Sequence, residues 1–150
     1  MRYLVVILLV WIGVCKGYAQ DYETDFREAQ RLFQERAKST QTHLQDYLQD
    51  YPYTPYGDEV HLMQGVLYVE KEKYKQAHKA FQKVEIKNLA RSSESMYYFY
   101  LGYANLQQEE YEKALSCMQQ LKEKQNPYFL QATYYTGYCH YKQQNYQQAL

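Results

Sequence analysis

Residues 97–115 read YYFYLGYANLQQEEYEKAL. Aromatic residues crowd around one glycine, Gly102, a polar break follows, and a second apolar period begins at Ala114. Catalytic segments seldom have this form. Helical hairpins that stack on copies of themselves do, because each must bury an apolar face against the next.

The spacing is repeated. Tyr111 lies nine residues after Gly102 and Ala114 twelve after it. Tyr74 and Ala77 stand in the same relation to Gly65, and Tyr146 and Ala149 to Gly137. The three glycines are 37 and 35 residues apart, within the period range of helical-hairpin arrays. Apolar residues recur at helical intervals on both sides of each break. Tyr98, Leu101, Gly102 and Asn105 share one helix face, and Ala114, Met118 and Leu121 share a face of the next. The small residues predict close approach of the two helices, with Gly102 facing Ala114. Gln107, Gln108, Glu109 and Glu110 make the turn between them, and Pro127 closes the unit because a helix does not easily continue through proline.

This pattern resembles the tetratricopeptide repeat, a helix–turn–helix of about 34 residues with Leu-Gly, Tyr, Ala, an aromatic and Pro at set positions. Tyr98, Leu101, Gly102, Tyr111, Ala114, Met118, Leu121 and Pro127 carry the likeness best. Gly65, Tyr68, Tyr74, Ala77, Phe81 and Val84 form a second copy, and Gly137, Tyr146 and Ala149 a third. Gln64 and Thr136 depart from the usual Leu before Gly, and Asn105 and His140 stand where an aromatic is common. The resemblance implies an all-α fold, an α-solenoid of antiparallel helical hairpins. It covers residues 58 to 150, divided as 58–91, 92–127 and 128–150. The third repeat has barely entered its second helix at Leu150, so the array is expected to continue.

Upstream, Phe26, Ala29, Leu32 and Phe33 form one amphipathic face, and Leu44, Tyr47, Leu48 and Tyr51 another. Residues 20–57 are therefore expected to form a degenerate leading hairpin. Asp58 is placed to cap the next helix. The Tyr51-Pro52-Tyr53-Thr54-Pro55-Tyr56-Gly57-Asp58 linker is similar to that of exported bacterial repeat proteins of Bacteroidetes-like type, including outer-membrane-assembly lipoproteins.

Residues 1–19 read as a secretory signal peptide. Arg2 supplies the positive start, residues 3–14 are almost purely apolar, and Gly17 and Ala19 fit a cut before Gln20. The apolar run is too short for a permanent bilayer span, so no transmembrane segment is expected after cleavage. Lipidation at Cys15 is the competing reading, weakened by Val14 where a small residue is wanted. The implied location is the periplasm or outer membrane. Removal of the leader takes away two of the 17 basic residues, Arg2 and Lys16, and none of the 17 acidic ones, which leaves a slightly acidic chain. With no basic excess or stripe, nucleic acid is not an expected partner.

Little in the sequence points to chemistry. His43, His61, His78 and His140 have no metal-ligand spacing, and His61 and His140 fall at repeat-core positions. Cys117 and Cys139 form no Cys-x-x-Cys pair. Export would permit a disulfide between them, but each fits its helix as a small apolar residue. The repeats contain no glycine-rich phosphate loop. Glu109-Glu110 and Glu70-Lys71-Glu72-Lys73 lie in expected turns. No cofactor or metal is implied, and no enzymatic activity.

What stands out is tyrosine, at 20 of 150 residues. In tetratricopeptide arrays the first helix of each repeat lines a concave surface. That register gives Leu62, Val66 and Val69, then Met96, Phe99, Tyr103 and Leu106, then Tyr134, Tyr138 and Tyr141. One reading is a groove for a protein or peptide partner, since aromatic residues are enriched at binding hot spots. The other is packing against neighbouring helices. A glycan-binding role is an alternative, with Gln107 and Gln131 beside aromatic rings. A docking module of a longer enzyme is a third reading.

Overall fold

The computed structural model describes residues 21–149. The expected signal peptide, residues 1–19 with Cys15, lies outside them. The described elements are all helical: α1 over residues 21–34, α2 Thr40–Asp50, α3 Gly57–Glu70, α4 Tyr74–Phe81, α5 Arg91–Gln107, α6 Tyr111–Met118 and α7 Phe129–Lys142. Short 3-10 turns at Ile86–Asn88 and Gln119–Leu121 follow α4 and α6. The chain divides into two compact units between Gly57 and Asp58.

In the first unit, Phe26, Ala29 and Phe33 of α1 and Leu44 and Tyr47 of α2 are buried. Thr40 is buried as well, and its hydroxyl donates to the carbonyls of Leu32 and Ala37, which satisfies the end of α1. Phe26 stacks on Tyr56 at 4.1 Å. The Tyr47 hydroxyl bonds the Tyr22 carbonyl and the Thr54 hydroxyl. Tyr51 donates to Asp25 at 2.7 Å, and this bond to a carboxylate pushes its phenol up to about 12. The tyrosines of the linker thus hold it to α1.

In the second unit, α5 packs on α4 and α6, and α7 on α6. Glycine sits at the closest approaches. A Cβ on Gly65 would fall 2.3 Å from the Phe81 ring, and one on Gly102 would fall 2.9 Å from both Cys117 Cβ and Met118 Cε. The side chains opposite Gly65 and Gly102 are therefore those 15 or 16 residues on. Ala114, the expected partner of Gly102, offers only its carbonyl at 3.5 Å. Leu106, Ala114, Leu115 and Cys139 form one buried cluster, and Met118, Leu121 and Ala132 another.

Four residues other than glycine have positive φ: Arg36, Glu72, Glu109 and Gln144, at 54° to 62°. Each ends a helix in the same way. At the second turn the Glu72 amide donates to the Val69 carbonyl and the Lys73 amide to Tyr68. At the third, Glu109 donates to Leu106 and Glu110 to Asn105. This is the Schellman arrangement, with the left-handed residue filled by a polar side chain in place of glycine.

Asp58 does not cap its own helix. It lies inside the first turn of α3, and its carboxylate accepts from the Glu85 amide at 2.6 Å and the Asn88 side chain at 2.8 Å. Glu59 accepts from the Ala90 amide. These bonds fix the connection from α4 to α5. One repeat later, Ser95 occupies the position of Asp58 and accepts from Asn126 at 2.9 Å.

Candidate functional site

The ten residues expected on the inner face divide sharply. Leu62, Val66, Val69 and Leu106 are buried, at 1%, 0%, 4% and 5% exposure. All four belong to the core, and Val69 also lines a cleft beside α5. Helix α3 is apolar almost all round, so the face away from Gly65 is buried too. Met96, Phe99 and Tyr103 on α5 are half-buried, and Tyr134, Tyr138 and Tyr141 on α7 are exposed. Equivalent positions thus pass from core to surface along the array: Leu62, Phe99 and Tyr134 form one such series, and Val66, Tyr103 and Tyr138 another.

Phe99 and Tyr103 are held by their neighbours on α7 and in the loop before it. Phe99 stacks on Tyr128 at 4.5 Å, and Tyr103 meets Tyr135 at 5.4 Å. A cleft of about 260 Å³ opens beside them. Val69 and Glu70 line it from α3, Glu72 and Tyr74 from the turn and the start of α4. Tyr100 joins Phe99 and Tyr103 from α5, and Tyr135 closes it from α7. Burial pushes the Tyr74 and Tyr135 phenols up, and the neighbouring Tyr103 adds to both. The Tyr74 and Tyr135 phenols are therefore neutral at physiological pH, and Glu70 and Glu72 are the acidic residues of the lining.

Of this lining only Val69, Phe99 and Tyr103 stand among the ten residues read from the sequence. Tyr100 and Tyr135 were missed although both precede a repeat glycine by two residues. That shared register was the available signal. Glu70, Glu72 and Tyr74 enter because the tight hairpin turns them toward α5, which helical periodicity does not register.

A wider hollow of about 510 Å³ runs along α7 between Tyr134, Tyr138, Tyr141, Tyr146 and Gly137. Among the described residues no helix follows α7. Lys142 lies 5.5 Å from the centre of the Tyr138 ring.

Histidine and cysteine are engaged in packing. Burial holds His61 and His78 below the ordinary histidine range, and Gln64 partly offsets this at His61 through a 3.3 Å contact. Cys117 and Cys139 are free thiols, both buried. The described residues contain no group of three His, Cys, Asp or Glu arranged to hold a metal, and no described helix is long and apolar enough to cross a membrane.

The tetratricopeptide-repeat family model matches residues 62–128, somewhat less than half of the chain. This segment carries tetratricopeptide repeats. The matched stretch runs from α3 to the loop before α7, and the all-helical hairpin architecture is that of a tetratricopeptide-type α-solenoid. Comparison with curated proteins and with solved structures gives no match. Repeats of this family generally mediate protein–protein interaction and are generally not catalytic.

Proposed function

We propose that the protein is a non-catalytic interaction scaffold of the bacterial cell envelope, which presents the aromatic surface of α5 and α7 to a protein or peptide segment. The observation that carries this reading is the cleft beside Phe99, Tyr103 and Tyr135, where aromatic rings border open space instead of closing it. Unfilled aromatic surface on a protein favours a partner. The groove in this reading consists of Met96, Phe99, Tyr103, Tyr134, Tyr138 and Tyr141, without the four buried members of the original set. The repeat boundaries are 58–91, 92–127 and 128–150, preceded by the hairpin of residues 20–57.

Export rests on the pattern of residues 1–19. Sequencing the N-terminus of the protein from cells tests it: a mature start at Gln20 supports export by cleavage after Ala19, and retention of Met1 rejects it.

The interaction is tested by photo-crosslinking in cells from positions 103 and 138. Recovery of one distinct envelope protein supports the reading. Crosslinks confined to the chain itself assign these tyrosines to packing and reject it. The glycan alternative has less support, because Gln107 and Gln131 line neither cavity.

A further inference from the structure

The large apolar side chains exposed among the described residues are Leu130, Tyr134, Tyr138, Tyr141 and Tyr146 at α7, and Tyr53 elsewhere. The corresponding residues of α5 are closed by the next helix in the row: Phe99 and Tyr103 meet Tyr135, and Leu106 packs with Cys139. On α3, Leu62, Val66 and Val69 are buried. The same register is therefore covered twice within the chain and open at α7. Contiguous apolar surface of this kind marks an interface. The face is also complementary to itself. Gly137 and Tyr138 stand side by side at its middle, with Tyr134 three residues before them and Tyr141 three residues after. A two-fold axis at that midpoint lays two α7 helices antiparallel. Each Tyr138 then enters the gap over Gly137 of the second copy, and each Tyr134 meets Tyr141 of the second copy. The gap is open: a Cβ on Gly137 would meet the Ala149 carbonyl oxygen at 3.2 Å and no described side chain, whereas Phe81 already fills the space at Gly65 and Met118 that at Gly102. Charge agrees with this arrangement. Helix α7 contains no Asp or Glu. Lys142 lies four residues after Tyr138 and Thr133 four before Gly137, so each lysine faces a threonine of the second copy instead of the other lysine.

We propose that α7 is a self-association surface, on which a second copy of this chain packs antiparallel through Tyr134, Gly137, Tyr138 and Tyr141. The inference goes beyond the interaction reading. It gives the α7 tyrosines to the second copy and leaves Met96, Phe99 and Tyr103 to a partner of another kind. The contact uses the same patch on both copies, so it closes at a dimer and does not propagate.

The test is sedimentation velocity of the protein isolated from cells, at rising concentration. The expected result is a reversible equilibrium of monomer and dimer with no larger species. Tyr138→Ala removes the ring that enters the gap and is expected to weaken dimerisation about tenfold. Tyr134→Glu alone and Tyr141→Lys alone should weaken it as well. The Y134E/Y141K double variant should recover it in a salt-sensitive way, because each new carboxylate then faces a new ammonium on the other copy. Tyr134 and Tyr141 are 67% and 59% exposed, so these changes should leave the fold intact, which thermal melts check. A monomer at every concentration overturns the proposal, whatever else covers the face. A dimer that Tyr138→Ala leaves unchanged, or that the double variant fails to restore, also overturns it, since association then runs through another surface. A monomer together with an envelope protein crosslinked from position 103 rejects the dimer and leaves the interaction reading standing. A dimer lost with Tyr138→Ala, together with no envelope protein crosslinked from position 103, does the reverse.

Discussion

Gly65 lies against the ring of Phe81, so closely that a methyl group on it would sit 2.3 Å from Cε1. Phe81 is 1% exposed, and Tyr97 meets its ring edge-on at 5.6 Å. The ring therefore has nowhere to move. Gly65→Ala is expected to cost about 1–3 kcal/mol through overpacking. Gly102→Ala should cost less, because the Met118 chain bends easily and only the Cys117 Cβ resists. At Gly137 the nearest atom is the Ala149 carbonyl oxygen at 3.2 Å, so the helix preference for alanine, up to about 1 kcal/mol, should largely cancel any crowding. Urea melts of the three variants give the order. Equal losses at positions 65 and 137 would refute the close-contact role.

Asp58 holds two groups of the α4–α5 connection, 27 and 30 residues away in sequence. Removing it leaves the Glu85 amide and the Asn88 side chain to water. Asp58→Ala is expected to cost about 1–2 kcal/mol, in the range for hydrogen bonds to charged groups discounted for exposure. Asn88→Ala should cost less. A double-mutant cycle between the two should show coupling, and strict additivity would mean that the bond contributes nothing in solution.

The repeat was legible because its requirement is local. Two helices that cross closely need small residues at fixed offsets, and Gly65, Gly102 and Ala114 supply them. Which side chain meets each glycine was not legible: Phe81 and Met118 lie further along the second helix than Ala77 and Ala114. The role of Asp58 was hidden because its partners are backbone and side-chain groups of a distant loop, while the local rule favours capping. The burial of Leu62, Val66 and Val69 was hidden for a related reason. Periodicity separates faces on an amphipathic helix, and α3 has no polar face to mark the outside. At the cleft, aromatic richness was visible and Glu70 and Glu72 were placed at a turn, but helical periodicity does not show which side chains a turn brings against the next helix.

Those turns give a third prediction. Glu109 has φ of 60°, a conformation that costs an L-residue about 1–2 kcal/mol and glycine almost nothing. Glu109→Gly and Gln144→Gly are each expected to raise stability by up to about 1 kcal/mol, seen as a higher denaturation midpoint. Glu109→Asn should give a smaller gain, and Glu109→Val a loss. A destabilised glycine variant would show that the Glu109 side chain contributes more than the backbone strain removes.

The buried thiols predict reactivity and alkaline behaviour together. Burial pushes Cys117 from 9.0 up to about 11, partly opposed by the Asn105 side chain, and pushes Cys139 up similarly, with the Glu112 charge adding to it. Both are neutral thiols at physiological pH and hidden from reagents, so iodoacetamide should leave the folded protein unlabelled and label both sites in urea. The fold favours the protonated form. Its contribution is therefore complete below pH about 9 and is lost as pH rises toward about 11. Stability measured across that range should fall, and the Cys117→Ala/Cys139→Ala double variant should lose part of the fall even though it is less stable at neutral pH. Rapid alkylation of the native chain at neutral pH would show that the α5–α6–α7 core opens far more readily than its burial implies.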